Sequence, residues 1–270
     1  MLGNMPIMDI VFPLLTGLIA GGLGALLGLG GGVVVVPTLE ILGPKFMSHC
    51  VPLQNIIAAS QIGVLSVAVA SSAGYLRQGG LVRIKTAYSL SPFTVLGGVV
   101  GSLLLIVLAP KIVASVFVVL LVYTGFEMLR GMNRLESERG TPSIWARPAV
   151  AFGGIMSGLL GVGGGTVQVP VLNLLVGLPF RTAIATSTFM MGLTAIANAL
   201  VQGASGKLEP TLAGPIALGI LIGARVMSHY AKRVPVKTLK SLFALLVFYS
   251  AFDLLNKYWH LFGAAPKGGC

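Results

Sequence analysis

The sequence predicts an all-α, polytopic membrane protein arranged as an inverted-topology repeat, with six ordinary spans and two glycine-broken helical hairpins. Three observations lead there. Hydrophobic residues make up 55% of the 270-residue chain and charged residues only 9%, with a mean hydropathy of +0.94. Water-soluble domains carry about 25% charged residues, so this surface is built for lipid. The chain also holds long charge-free runs, at 10–39, 53–76, 86–110, 148–180 and 182–206, where a bilayer-crossing helix needs roughly 20 apolar residues. Finally, one glycine-rich segment occurs twice: Leu26–Leu42 and Leu159–Leu175 are identical at 11 of 17 positions. Duplicated apolar halves interrupted by glycine at the same place are a mark of secondary transporters with a site at the repeat interface.

The first run, 10–39, is too long for one span and short for two. Gly28–Gly32 is where its helix breaks most readily, because glycine carries a high backbone cost in a helix interior. The expectation is a hairpin over 10–43 that enters the membrane, turns at the glycines and returns to the same side. Spans at 53–76, 86–109 and 111–130 complete a first repeat over residues 1–130. A linker at 131–147 carries Glu136 and Glu138. The second repeat, 148–256, opens with a hairpin over 148–180 that breaks at Gly161–Gly165. Spans at 182–204, 211–230 and 236–256 follow, the last weakened by Lys237 and Lys240, and 257–270 forms a tail.

A hairpin changes no sidedness and three spans follow it, so each half crosses an odd number of times and the second half is inverted. With both termini outside, 12 Lys and Arg residues fall on the cytoplasmic side and five outside, with Arg225 inside a span. The positive-inside bias favours that orientation. The net charge of +11 therefore reflects loop orientation and contact with acidic headgroups, and nucleic acid is not expected as a partner. No basic segment precedes the first apolar run, so no removable signal peptide is expected. Cys50 and Cys270 provide no disulfide framework or metal motif.

The glycine turns are the first candidate site. Where a helix restarts inside the membrane, it presents unpaired N–H groups and the positive end of its dipole. These bind anions without a buried cationic side chain. Gly30, Gly31, Gly32, Gly163, Gly164 and Gly165 are assigned on that ground. The competing structural reading is close helix packing, expected for the pairs Gly17/Gly21, Gly97/Gly101 and Gly219/Gly223. Polar residues beside the turns and in the following spans extend the site: Asn55 and Ser60 in the first half, and Thr166, Gln168, Thr186 and Ser187 in the second. Aligning Ile57-Ala58-Ala59-Ser60 on Ile184-Ala185-Thr186-Ser187 matches the two serines. Gln168 has no polar counterpart at Val35. Glu40 follows the first repeated proline and aligns with Asn173. Glu127 and Arg130 are placed to pair at a helix end, and Arg225 to reach the cytoplasmic interface.

At Gly28-Leu29-Gly30-Gly31-Gly32…Pro37 and Gly161-Val162-Gly163-Gly164-Gly165…Pro170, supported by Ala185-Thr186-Ser187, the chain resembles the sulfite exporter TauE/SafE family of integral membrane permeases, over about residues 10 to 255. The resemblance implies movement of sulfur-containing oxyanions, such as sulfite or organosulfonates, across the cytoplasmic membrane. It agrees with the anion expected from the glycine turns. An enzyme is not expected, since Ser157-Gly158 has no base beside it and His49 and His229 lie outside the repeated segments. The alternative is a passive channel or permease for another small ion or carboxylate, although cation sites want buried carboxylates. No cofactor or metal is expected. The partners expected are a small anionic substrate and the lipid bilayer, with a homodimer as a further option.

Overall fold

The computed structural model describes residues 6–27, 30–48, 51–77, 81–130, 144–230, 248–249 and 251–252. Among these residues every regular element is an α-helix: α1 (Ile7–Leu27), α2 (Gly32–Phe46), α3 (Leu53–Arg77), α4 (Ile84–Val107), α5 (Pro110–Arg130), α6 (Ala146–Leu160), α7 (Gly165–Leu174), α8 (Phe180–Ala204) and α9 (Pro210–Tyr230). Stretches of α1, α3, α4, α8 and α9 are long and apolar enough to cross a membrane, while Pro110–Tyr123 and Ala146–Leu160 are shorter apolar segments. Apolar side chains such as Leu96, Val100, Leu103 and Val107 of α4 point outward, as a lipid-facing helix requires. The expected span at 236–256 lies almost wholly outside the described residues, as do Cys50, Cys270 and the linker up to residue 143.

Both long runs break at their glycines. α1 and α2 run antiparallel: Phe12 stacks on Phe46, and the Asp9 carboxylate accepts hydrogen bonds from the Ser48 backbone N–H (2.8 Å) and from its hydroxyl. α6 and α7 form the second hairpin, with Gly153 beside Val167 and Gln168. The two returning helices differ in length. α2 runs through Pro44 to Phe46, three residues past the expected end at 43, and closes with Met47 N–H donating to Gly43. α7 stops at Leu174. There Asn173 Nδ2 donates to Leu178 O (2.8 Å) and Leu178 N–H donates to Leu172 O (3.0 Å), wrapping the chain back before Pro179. Gly177 takes a left-handed φ of 77° in that turn.

The hairpins enter from opposite ends of the bundle. The start of α3, just after the first hairpin, meets the end of α4, where Gln54 Nε2 donates to Leu105 O (3.0 Å) and Leu108 O (3.3 Å). The start of α8, just after the second hairpin, meets the start of α4, where Arg83 N–H donates to the Thr186 hydroxyl (3.1 Å). Each hairpin's first helix packs along the fourth helix of the other half. Gly17 and Gly21 of α1 lie against Ile216 and Ile220 of α9, and Gly219 and Gly223 return the contact at Leu14 and Leu18. In the same way Gly97 and Gly101 of α4 lie against Ala151 and Ile155 of α6, while Gly154 and Gly158 meet Thr94 and Gly98. Both pairs run parallel. Lipid offers little hydrophobic drive for helix association, so such backbone approach supplies the packing instead.

A further correspondence joins the halves. Tyr75 Oη donates to Ala25 O (3.3 Å), and Gln202 Nε2 donates to Gly158 O (3.1 Å). Aligning the glycine motifs puts Ala25 on Gly158, and aligning the two serines puts Tyr75 on Gln202. One main-chain carbonyl is thus held twice, once by a phenol and once by an amide.

Candidate functional site

The two glycine turns touch one another in the middle of the bundle. A Cβ at Gly32 would collide with the carbonyl oxygen of Gly161, and one at Gly30 would stand 3.2 Å from Val162 O and 3.3 Å from Gly163 Cα. Gly30, Gly31, Gly161, Gly163 and Gly164 have φ between 72° and 82°, a region side chains enter only at a cost. These turns need glycine for backbone conformation, and Gly32 for contact. α3 and α8 flank the turns: Val67 lies against Gly31, Val64 against Gly163, and Met191 Sδ against both Gly30 and Gly163.

α7 restarts at Gly165 with Gly164 as its N-cap and no side-chain cap. Gly164 O takes the N–H groups of Val167 (3.1 Å) and Gln168 (2.9 Å), while those of Gly165 and Thr166 have no acceptor among the described residues. α2 likewise starts without a side-chain cap, at Gly31. Two helix N-termini, each worth roughly half a positive charge, therefore abut where little solvent can screen them. Buried polar atoms without partners lie at the second, Thr166 Oγ1 and both amide atoms of Gln168, and a further one, Ser187 Oγ, lies on α8. Gln168 is fully buried, and its Nε2 lies 2.9 Å from where a Cβ on Gly164 would stand, folded back over the helix start. Ser187 sits one turn before Met191 on the same face of α8, the face turned to the glycines. Pro170 has no N–H to return to the carbonyl of Thr166. Each orphaned buried polar group costs about 1–3 kcal/mol, so a ligand that satisfies several at once gains their combined relief.

Other expected site residues lie elsewhere or are already engaged. Ser60 is fully buried, and its hydroxyl lies 2.7 Å from Ile57 O and 3.0 Å from Gly161 O, so it straps the second turn to α3. Its counterpart Ser187 makes no such bond. Thr186 faces the start of α4 through Arg83, because consecutive helical residues point about 100° apart. Asn55 sits in the first turn of α3, more than a turn from Ser60 and away from the glycines. Glu40 is buried in α2, and Arg225 is exposed on α9.

The structure adds residues that sequence reasoning left out. Gln61 is fully buried and its Nε2 donates to Ser157 O. Beyond it a polar seam climbs α4, α6 and α8: Thr194 Oγ1 donates to Thr94 Oγ1 (3.1 Å), Asn198 lies against the Ser157 hydroxyl (3.4 Å), and Gln202 Nε2 donates to Ser102 Oγ (3.3 Å). Thr94 and Ser102 are spaced as Thr194 and Gln202 are, which was the available signal. Among the described residues no group of three or more His, Cys, Asp or Glu could hold a metal ion.

The family model described as sulfite exporter TauE/SafE matches residues 13–254. A "Probable membrane transporter protein" of Haemophilus influenzae is 28% identical over 265 residues, covering 92% of this chain and 98% of the relative. The "Probable membrane transporter protein YunE" of Bacillus subtilis is 26% identical over 256 residues, covering 86% and 92%. A second Haemophilus influenzae "Probable membrane transporter protein" is 25% identical over 261 residues, covering 91% and 96%. No solved structure matches.

Proposed function

Because the chain belongs to the sulfite exporter TauE/SafE family and is a membrane transporter, we propose that it carries small sulfur-containing oxyanions, of the sulfite or organosulfonate class, across the cytoplasmic membrane. The anion sits at the meeting point of the two glycine turns, between halves of inverted orientation. One observation carries this reading: Thr166 Oγ1 and Gln168 Nε2 are buried donors without partners at a helix start whose first N–H groups also lack acceptors among the described residues, and Ser187 Oγ on α8 is a third such donor. Neutral donors and helix ends replace hydration without fixing a cation beside the anion. An oxyanion held this way can therefore leave again.

Flux in proteoliposomes loaded with sulfite, sulfate, thiosulfate, taurine, sulfoacetate and simple carboxylates tests it, with sulfur oxyanions expected to move and carboxylates to lag. Affinity separates the residues. Thr166→Val with Ser187→Ala is expected to weaken binding by about 1–3 kcal/mol, the loss from leaving a charged ligand short of donors. Thr186→Val and Arg225→Gln are expected to leave affinity near the wild-type value. A collapse with Arg225→Gln beside a silent Thr166/Ser187 pair would move the site to the bundle's end.

Orientation follows from charge. Lys45, Lys111 and Lys207 lie at the bundle end where the first hairpin enters, and Arg83, Lys85, Arg147 and Arg181 at the end where the second enters. The positive-inside bias puts the second end in the cytoplasm and both termini outside. In a chain freed of Cys50 and Cys270, an impermeant thiol reagent added to intact cells should label Lys267→Cys and spare Ser137→Cys. The opposite pattern would reverse the orientation.

A further inference from the structure

We infer that the anion bound here carries a hydrogen-bond donor of its own, and that Gln168 is the residue that reads it. This rests on the anion site proposed above and narrows its substrate class. Gln168 is fully buried, and both ends of its amide, Nε2 and Oε1, lack a partner. The amide therefore offers one unmet donor and one unmet acceptor at the start of α7. No hydroxyl donates to that acceptor in this structure: Thr166 Oγ1 and Ser187 Oγ are buried without any hydrogen bond of their own.

A ligand made only of acceptor oxygens satisfies half of this arrangement. Sulfate or a simple alkanesulfonate takes the Nε2 protons, the two hydroxyls and the free N–H groups of α7. It then presses lone pairs against Gln168 Oε1, and repulsion there adds to the desolvation of the carbonyl. A singly protonated oxyanion such as hydrogensulfite offers its O–H to that oxygen, as does a sulfonate bearing a hydroxyl or ammonium group. Sites built to pair a ligand's O–H or N–H discriminate strongly against analogues that lack it. The matching residue in the first half, Val35, is buried and apolar, so only the second turn makes this distinction. The two halves thus contribute unequally: both offer helix ends, and one selects.

The test is competition against labelled sulfite in proteoliposomes holding the full-length protein. Unlabelled sulfite, methanesulfonate, 2-hydroxyethanesulfonate and ethanesulfonate serve as competitors. Below the second ionisation of sulfurous acid, the donor-bearing member of each pair is expected to compete about tenfold better than its acceptor-only partner. Raising the pH through that ionisation should weaken sulfite and leave methanesulfonate unchanged. Gln168→Met keeps the length of the side chain, and Gln168→Val installs the residue present at position 35. Either should bring the paired competitors close together, with both members of each pair weakened by the loss of Nε2. The two pairs also distinguish hydrogensulfite from hydroxylated sulfonates as the better ligand. If oxyanions compete but the wild-type protein ignores the donor, or the preference survives both substitutions, the role of Gln168 is refuted alone. A sulfite affinity that holds or rises with pH refutes it too. If no oxyanion binds the wild-type protein, the anion site fails and this inference with it.

Discussion

Replacing Gly32 with alanine is expected to abolish transport while the protein still reaches the membrane. Gly32 is the first residue of α2 and has no left-handed backbone, so alanine is conformationally acceptable there. Its defect is contact. The added methyl group would collide with the carbonyl oxygen of Gly161 and approach Val162 Cα within 3.1 Å. Neither atom is the end of a flexible side chain, and Gly161 is also held by the Ser60 hydroxyl. Relief therefore requires one hairpin to withdraw from the other. Inserting even one methyl into a close-packed site costs about 1–3 kcal/mol, and here the displacement falls on the helix starts themselves. Gly74→Ala, with open space around its Cβ, is the matched control. Flux in proteoliposomes, normalised to protein recovered in the membrane, gives the answer. Normal flux by Gly32→Ala would show that the turns need not touch for transport.

The second large effect concerns assembly. Gly219→Ala and Gly154→Ala are each expected to lower stability in detergent by about 1–3 kcal/mol. A Cβ at Gly219 would strike Leu14 O, and one at Gly154 would strike Thr94 O, both backbone atoms of a parallel neighbour. The two substitutions lie in different helix pairs, α1 with α9 and α4 with α6, so their effects should add when combined. Gly214→Ala, on the same helix as Gly219, meets nothing within 4 Å and should melt like the wild type. Fluorescence-detected size exclusion after heating measures all four variants against the wild type. A Gly219→Ala protein as heat-resistant as Gly214→Ala would mean that the crossing of α1 and α9 is looser than these contacts imply.

Much of this arrangement was legible in the sequence, because the strongest signals were local. Three consecutive glycines in an uncharged run break a helix wherever they occur, and the structure breaks both runs there. The pairs Gly17/Gly21, Gly97/Gly101 and Gly219/Gly223 read as packing faces and are packing faces. Less local features were harder. The first hairpin was expected to end at 43, yet α2 continues through Pro44 to Phe46. Thr186 and Ser187 looked equivalent as donors, and the helix turns one toward Arg83 and the other toward the glycines. Gln61, Asn198 and Gln202 carried no signal by themselves. Their meaning depends on which helices become neighbours, and apolar helices without charge patterning do not disclose their partners.

The exchange of helices between halves has a consequence for how the chain is made. α4 can engage α6 soon after both leave the ribosome, because they are near in sequence. α1, the first helix synthesised, finds its glycine-matched partner only when α9 arrives near the end of translation. Until then the early half of the chain waits in the bilayer with an open seam along α1. That seam leaves Gly17 and Gly21 without their backbone neighbours until Ile216 and Ile220 arrive. The same interlocking makes the two halves one unit, since removing either would leave a helix of the other without its glycine-matched partner.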